Sequence, residues 1–162
     1  MAISGSCLCG GVQFVVDEVS GPVEICHCVR CQKKSGNTSL AMVAVKSSSY
    51  RCVSGGDLIQ AFSAPVLNQP PAYSSHFCCV CGSAVPPAST EEPILEIPAG
   101  LFDDDPGVRP SKRIYIDFKH DWDEIPQDLP HYNFRSLYQE RLGRELPLDH
   151  KVLGHDGKAR TV

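Results

Sequence analysis

A mainly β chain is predicted, a small single domain of short antiparallel strands arranged as a sandwich- or barrel-like pair of folded sheets with a short C-terminal helix. Three features predict it. Short apolar runs are punctuated by Gly, Pro and Ser through the first 120 residues. Several of these runs alternate apolar and polar residues with period two, the pattern of a half-buried strand. One late segment alone carries apolar residues at helical spacing.

Taken in order, Gly11 to Val16 alternates between turn signals and reads as a strand. Val29 to Ser35 has room for a short helical turn and no more. Leu40 to Val45 is a continuous apolar run, the mark of a buried strand, and Leu58 to Phe62 reads as another. Asn68 to Ala72, with Pro70 and Pro71, is a loop. Pro93 to Ile97 and Arg113 to Phe118 are later strands, separated by the acidic stretch Phe102 to Pro106, where Asp and Pro select a solvated turn. Asn133 to Leu142 places Phe134, Leu137, Tyr138 and Leu142 at helical spacing before Gly143, a helix stop. Residues 1–145 are expected to form the domain and 146–162 a polar tail, loosely held from His150 onward.

The formal net charge of −4 and the lack of a basic stripe exclude a nucleic-acid binder, which would need cations to neutralise phosphates. No apolar run approaches the roughly 20 residues that cross a bilayer, and Met1 to Ser6 lacks the pattern of a secretory signal. A cytoplasmic location is expected. In that reducing compartment a dense cysteine pattern points to metal rather than disulfides, and nine cysteines cannot all pair.

The cysteines fall into three groups: Cys7-Leu8-Cys9-Gly10, Cys26-His27-Cys28-Val29-Arg30-Cys31 and Cys78-Cys79-Val80-Cys81-Gly82. A structural zinc takes four tetrahedral ligands, and a Cys-x-x-Cys-Gly turn offers two because its glycine lets backbone N–H groups approach the sulfurs. An extended Cys7-x-Cys9 sends two more to one face. Cys7, Cys9, Cys78 and Cys81 therefore complete a four-thiolate site. Cys26, Cys28 and Cys31 offer three sulfurs and leave a corner for water or substrate, the pattern of a catalytic zinc. The alternative is a structural site whose corner is closed by a histidine or by Cys52. His27 lies between two ligands that share a face, so an extended backbone turns it away. Cys52 and Cys79 read as buried thiols.

Three thiolates outweigh the charge of a zinc ion, which makes such a centre a poor generator of hydroxide but a good holder of a thiolate. Arg30, Lys33 and Lys34 can offset the excess negative charge, or form an ordinary solvated face. Thiol chemistry is therefore expected ahead of hydrolysis. Tyr73, Tyr115 and Trp122 are candidates to line a pocket, although aromatic residues at such places more often fill a core.

With its clusters in this order the chain resembles the glutathione-dependent formaldehyde-activating family, also called centromere-protein-V-like. The matching pieces are Cys7 to Val12, Cys26 to Gly36 and Ser75 to Ser83, with a weaker match over Lys112 to Trp122 and Asp128 to Pro130. The resemblance implies sheets folded against each other like a tent. It also implies two zinc ions, one structural on Cys7, Cys9, Cys78 and Cys81 and one catalytic on Cys26, Cys28 and Cys31. The implied activity is that of a carbon–sulfur lyase joining glutathione and formaldehyde as S-(hydroxymethyl)glutathione. A non-catalytic carrier of glutathione or another small thiol is the alternative, and purely architectural zinc a third. His76 and Arg113 depart from the family pattern, where Arg and His are frequent.

Overall fold

The computed structural model describes residues 2–68 and 70–162. Its first half carries β1 (Ile3–Ser6), β2 (Gln13–Val16), β3 (Val23–Cys26), helix α1 (Val29–Ser35), β4 (Leu40–Lys46) and β5 (Tyr50–Ser54). Then follow β6 (Ile59–Ser63), β7 (Ser74–Cys78), β8 (Ile94–Pro98) and β9 (Pro110–Ile114). The last part holds β10 (His131–Tyr132), helix α2 (Phe134–Leu142), β11 (Lys151–Leu153) and β12 (Ala159–Thr161). The fold is mainly β, as its alternating patterns require.

Two compact units are formed. One comprises Met1–Glu24, Ala41–Phe62 and Ser74–Pro110, the other Ile25–Leu40, Ser63–Tyr73 and Ser111–Val162.

In the first unit β2 is flanked by β1 and β5, antiparallel to both, with Gly5 opposite Phe14 and Tyr50 opposite Val16. A bulge between Gln13 and Phe14 shifts the second register. β4 pairs antiparallel with β8, Val43 opposite Ile97 and Val45 opposite Leu95. Period-two alternation sends Phe14, Val16, Val43, Val45 and Ile97 inward, where all are essentially solvent-free. Phe102 closes on the Phe14 ring edge-on, with centroids 5.7 Å apart. The acidic loop behaves as a turn: Asp103 and Asp104 accept hydrogen bonds from the Ser6 and Ser4 hydroxyls at 2.8 and 2.9 Å.

The second unit contains a parallel pair, β9 beside β10, with Arg113 opposite His131. The strand expected over Arg113 to Phe118 stops at Ile114. Tyr115 adopts a left-handed backbone (φ 57°) and a 3-10 turn spans Ile116–Phe118. The turn brings Tyr115 and Phe118 onto Phe134, at centroid distances of 5.2 and 6.2 Å, so aromatic packing wins over strand continuation. α2 begins where expected, with Asn133 Oδ1 accepting the Ser136 N–H at 2.8 Å, and ends at left-handed Gly143. Leu137 is its buried residue, while Leu142 is exposed. Beyond the helix the chain is polar but held. Leu146 and Val152 are buried, β11 pairs with β12, and Asn68 exchanges hydrogen bonds with the Lys151 backbone at 2.7 and 2.9 Å. The local sequence of that segment gives no sign of this anchor, because it comes from a distant loop.

Candidate metal centres

All nine cysteines are free thiols, and seven fall into two groups. In the first unit the sulfurs of Cys7, Cys9, Cys78 and Cys81 lie within 4.8 Å of one another. Four sulfurs at ~2.3 Å from one zinc ion would stand about 3.8 Å apart. The Cys7–Cys9 and Cys9–Cys78 pairs, at 3.4 and 3.8 Å, are close to that edge length. Both halves are built alike. The Gly82 N–H donates to the Cys78 carbonyl at 2.8 Å and the Gly10 N–H to the Cys7 carbonyl at 2.8 Å, each glycine left-handed (φ 74° and 71°). Cys7-x-Cys9 is thus a turn and not the extended pair expected from sequence. The residues at the crest of the two turns, Leu8 and Val80, face solvent, and Cys79 beside Val80 is exposed rather than buried.

Backbone and hydroxyl groups serve these sulfurs. The Val12 N–H donates to Cys7 Sγ at 3.2 Å. Cys81 Sγ lies 3.3 Å from Ser83 Oγ, and hydrogen bonding by the Ser83 hydroxyl and N–H holds Cys81 down to about 5. Cys9 is shifted the other way: the Gly11 N–H draws it down, but the crowding sulfurs, Cys7 first, push it up to about 12. Four sulfurs gathered in this way suit a soft divalent cation.

In the second unit Cys26, Cys28 and Cys31 form the other group, again within 4.8 Å. Cys26 ends β3, Cys28 is the extended N-cap residue of α1 (φ −67°, ψ 155°), and Cys31 follows on the helix. Crowding sets their acidity. Hydrogen bonds from Cys26 and Cys31 hold Cys28 down to about 3, while the same contacts push Cys26 far up, with burial adding to the effect. A metal ion accepts all three as thiolates, so the donor chemistry fits. Among the described residues no fourth Cys, His, Asp or Glu joins the group.

His27 stays out of the cluster, as the extended geometry requires. It is 3% exposed, and its Nδ1 faces Asp123 Oδ2 at 3.6 Å, too far for a hydrogen bond. Neither ring nitrogen nor that carboxylate oxygen has a hydrogen-bond partner. Burial lowers the His27 pKa, with the Asp123 charge opposing, so the imidazole is held neutral. Cys52 is half-buried, its Sγ 3.5 Å from the Ser54 carbonyl, and belongs to neither group.

The three cations sit differently on α1. Arg30 lies over the Tyr73 ring, 4.5 Å from its centroid. Lys33 and Lys34 occupy the last turn, where positive charge complements the helix dipole. Arg113 forms a two-pronged pair with Asp128, at 3.2 and 3.3 Å, joining the two weaker matching stretches. Sequence reasoning missed Gln32. Its Nε2 donates to the His27 carbonyl at 2.6 Å and to the Phe118 carbonyl at 2.9 Å. A buried glutamine directly after a ligand cysteine was the available signal.

The fold and these clusters define a mainly β protein whose two cysteine clusters can hold metal ions. The profile of the glutathione-dependent formaldehyde-activating enzyme family matches residues 2–118. A Halomonas elongata protein, provisionally named a glutathione-dependent formaldehyde-activating enzyme, is 30% identical over 128 residues, 77% of this chain and 82% of that one. The chain belongs to the glutathione-dependent formaldehyde-activating family. The crystal structure of a Rhodobacter sphaeroides protein is also similar, with a TM-score of 0.48, 17% identity, and coverage of 67% of this chain and 99% of that one.

Proposed function

We propose that the chain is a zinc-dependent enzyme that joins a small thiol, glutathione in the first instance, to formaldehyde. The observation that carries the reading is the three-sulfur group of Cys26, Cys28 and Cys31, which lacks a fourth side-chain ligand among the described residues. The four-sulfur group of Cys7, Cys9, Cys78 and Cys81 is closed and serves as the structural site. The family name supports glutathione and formaldehyde as the substrates.

In this reading zinc supplies a soft Lewis-acidic corner that favours the thiolate form of an incoming thiol. Cys26, Cys28 and Cys31 hold that corner open. The positive charges of Arg30, Lys33 and Lys34 offset the accumulated thiolate charge and meet the carboxylates of a glutathione-like ligand. The reaction forms one C–S bond at the carbonyl carbon. The thiol hydrogen ends on the former carbonyl oxygen, giving S-(hydroxymethyl)glutathione; run backward, this is carbon–sulfur lyase chemistry. Proximity is the main help so facile an addition needs. The cytoplasm, where thiols stay reduced, is the compartment that suits it.

Calorimetry of glutathione binding in buffers of different ionisation heat tests this. Binding as a thiolate releases a proton, and S-methylglutathione, which cannot ionise at sulfur, binds more weakly. Equal affinity of the two ligands with no proton release would remove the sulfur from the mechanism. Adduct formation no faster than the spontaneous rate would reduce the protein to a carrier.

A further inference from the structure

A cleft of about 460 Å³ opens within the second unit; none of the cysteines of the two sulfur groups lines it, while Gln32, the neighbour of Cys31, forms part of its wall. Its volume falls in the range of small-molecule sites. One wall comes from the end of α1 and the residues after it, Lys33, Asn37 and Thr38. The other is aromatic: His120, Trp122 and His155.

The aromatic wall is built in layers. The Phe118 carbonyl anchors His155 through Nε2 at 3.0 Å. His120 packs on His155 with centroids 4.1 Å apart, and Trp122 stacks on His120 at 5.4 Å with the planes only 11° from parallel. Trp122 nevertheless leaves 70% of itself exposed. An indole is the side chain with most to gain from burial, and here one face is fixed in place while the rest is offered to solvent. A ring held this way needs no reorganisation to take a second planar group, so little ordering cost is charged to binding.

Charge narrows the ligand. Lys33 makes no ion pair among the described residues, and no carboxylate lines the cleft. The lysine repels a cation that would otherwise suit an indole face. It is the one lysine or arginine on the lining, and it sits at the carbonyl end of a short helix, whose partial negative charge disfavours a phosphate dianion. A monoanion fits best.

We propose that this cleft is a binding site for a small planar monocarboxylate, its conjugated body stacked on Trp122 and its carboxylate at Lys33. The proposal rests on the cleft's own lining and stands whether or not the thiol reading does; Lys33, which that reading also uses, is the residue common to both.

Trp122 is the chain's single tryptophan, so its indole N–H gives one unambiguous signal in a nitrogen-15 correlation spectrum. Benzoate is the probe. Acetate supplies the charge without the ring, and benzyl alcohol the ring without the charge. Benzoate is expected to shift the indole signal saturably, with both partial probes at least about tenfold weaker, the effect of one lost charge-assisted hydrogen bond or one lost stacking contact. Lys33→Gln should weaken benzoate about tenfold and Lys33→Arg restore it. Ligand-observed spectra of Trp122→Ala should show the same loss, in protein whose melting temperature and metal content match wild type. No saturable shift, equal affinity of the three probes, or a Lys33→Gln protein that binds as wild type overturns the proposal. Displacement of benzoate by saturating glutathione also overturns it, because the cleft would then be part of the thiol site.

Discussion

Gln32 donates to the backbone carbonyl of His27 at 2.6 Å from a side chain that is 6% exposed. His27 separates Cys26 from Cys28, so this hydrogen bond, together with that from the His27 N–H to the Ile114 carbonyl at 2.9 Å, holds the backbone from which both cysteines project. The Phe118 carbonyl, its second acceptor, also receives His155. Replacing Gln32 by Met, which keeps the length and removes the donor, therefore orphans the His27 carbonyl alone. The expected cost is roughly 1–3 kcal/mol, the penalty for a buried acceptor left unpaired. Denaturant melts measure it, and an unchanged midpoint would show that His27 does not depend on Gln32.

Metal should leave the two sulfur groups in order. The four-sulfur group can supply a complete tetrahedral shell, whereas three sulfurs would leave a bound ion one position for an exchangeable ligand. Two zinc ions per chain are expected by metal analysis. Chelator titration should withdraw one of them while the protein remains folded, as judged by circular dichroism. One ion per chain, or loss of both together with the fold, contradicts the division of roles.

Stability should carry a signature of His150. Burial lowers its pKa, with the Asp149 charge opposing, and its ring lies 5.2 Å from that of Phe134. The unfolded chain then takes up the proton more readily than the folded one. Stability is highest above the ordinary histidine pKa of about 6.5 and falls as pH drops through it toward the lower folded value. His150→Gln removes this dependence. Its melting temperature, measured against wild type, should rise in relative terms as pH falls from about 7.5 to about 5.5. A difference that stays constant across that range would place the pH sensitivity elsewhere.

Much of this was legible in the sequence because cysteine spacing and strand alternation are local. Cys78-x-x-Cys81-Gly82 specifies its own turn, and Cys26-His27-Cys28 its own alternation, so the sulfur groups and the exclusion of His27 follow from a few residues each. Phe14 and Val16 announce their burial by period, Val43 and Val45 by the continuous apolar run that holds them. What could not be read depends on distant partners. Tyr115 leaves the strand for the sake of Phe134, and His155 joins an aromatic wall with His120 from a segment with no apolar pattern. The Asn68 contact with Lys151 spans 83 positions. Cys79 was misplaced because residue type suggested burial, whereas the turn that presents Cys78 and Cys81 must point the residues between them outward.

The sharpest contrast is between Cys81→Ser and Cys28→Ser. Cys9 and Cys78 approach to 3.8 Å across 69 positions, so an ion held by the four-sulfur group would cross-link distant segments of the first unit. A structural zinc in a small domain contributes roughly 10–16 kcal/mol, as much as the whole roughly 5–15 kcal/mol by which a domain is stable. Losing one ligand there should leave no cooperative melt. Cys26, Cys28 and Cys31 instead span the end of β3 and the start of α1, a local link whose removal costs the chain little loop entropy. Cys28→Ser should retain a cooperative melt and one zinc ion, and lose thiol binding. Purified variants compared by thermal melting and metal analysis decide it: equal disruption by the two substitutions would mean that both clusters hold the fold together, and that the three-sulfur group is not reserved for chemistry.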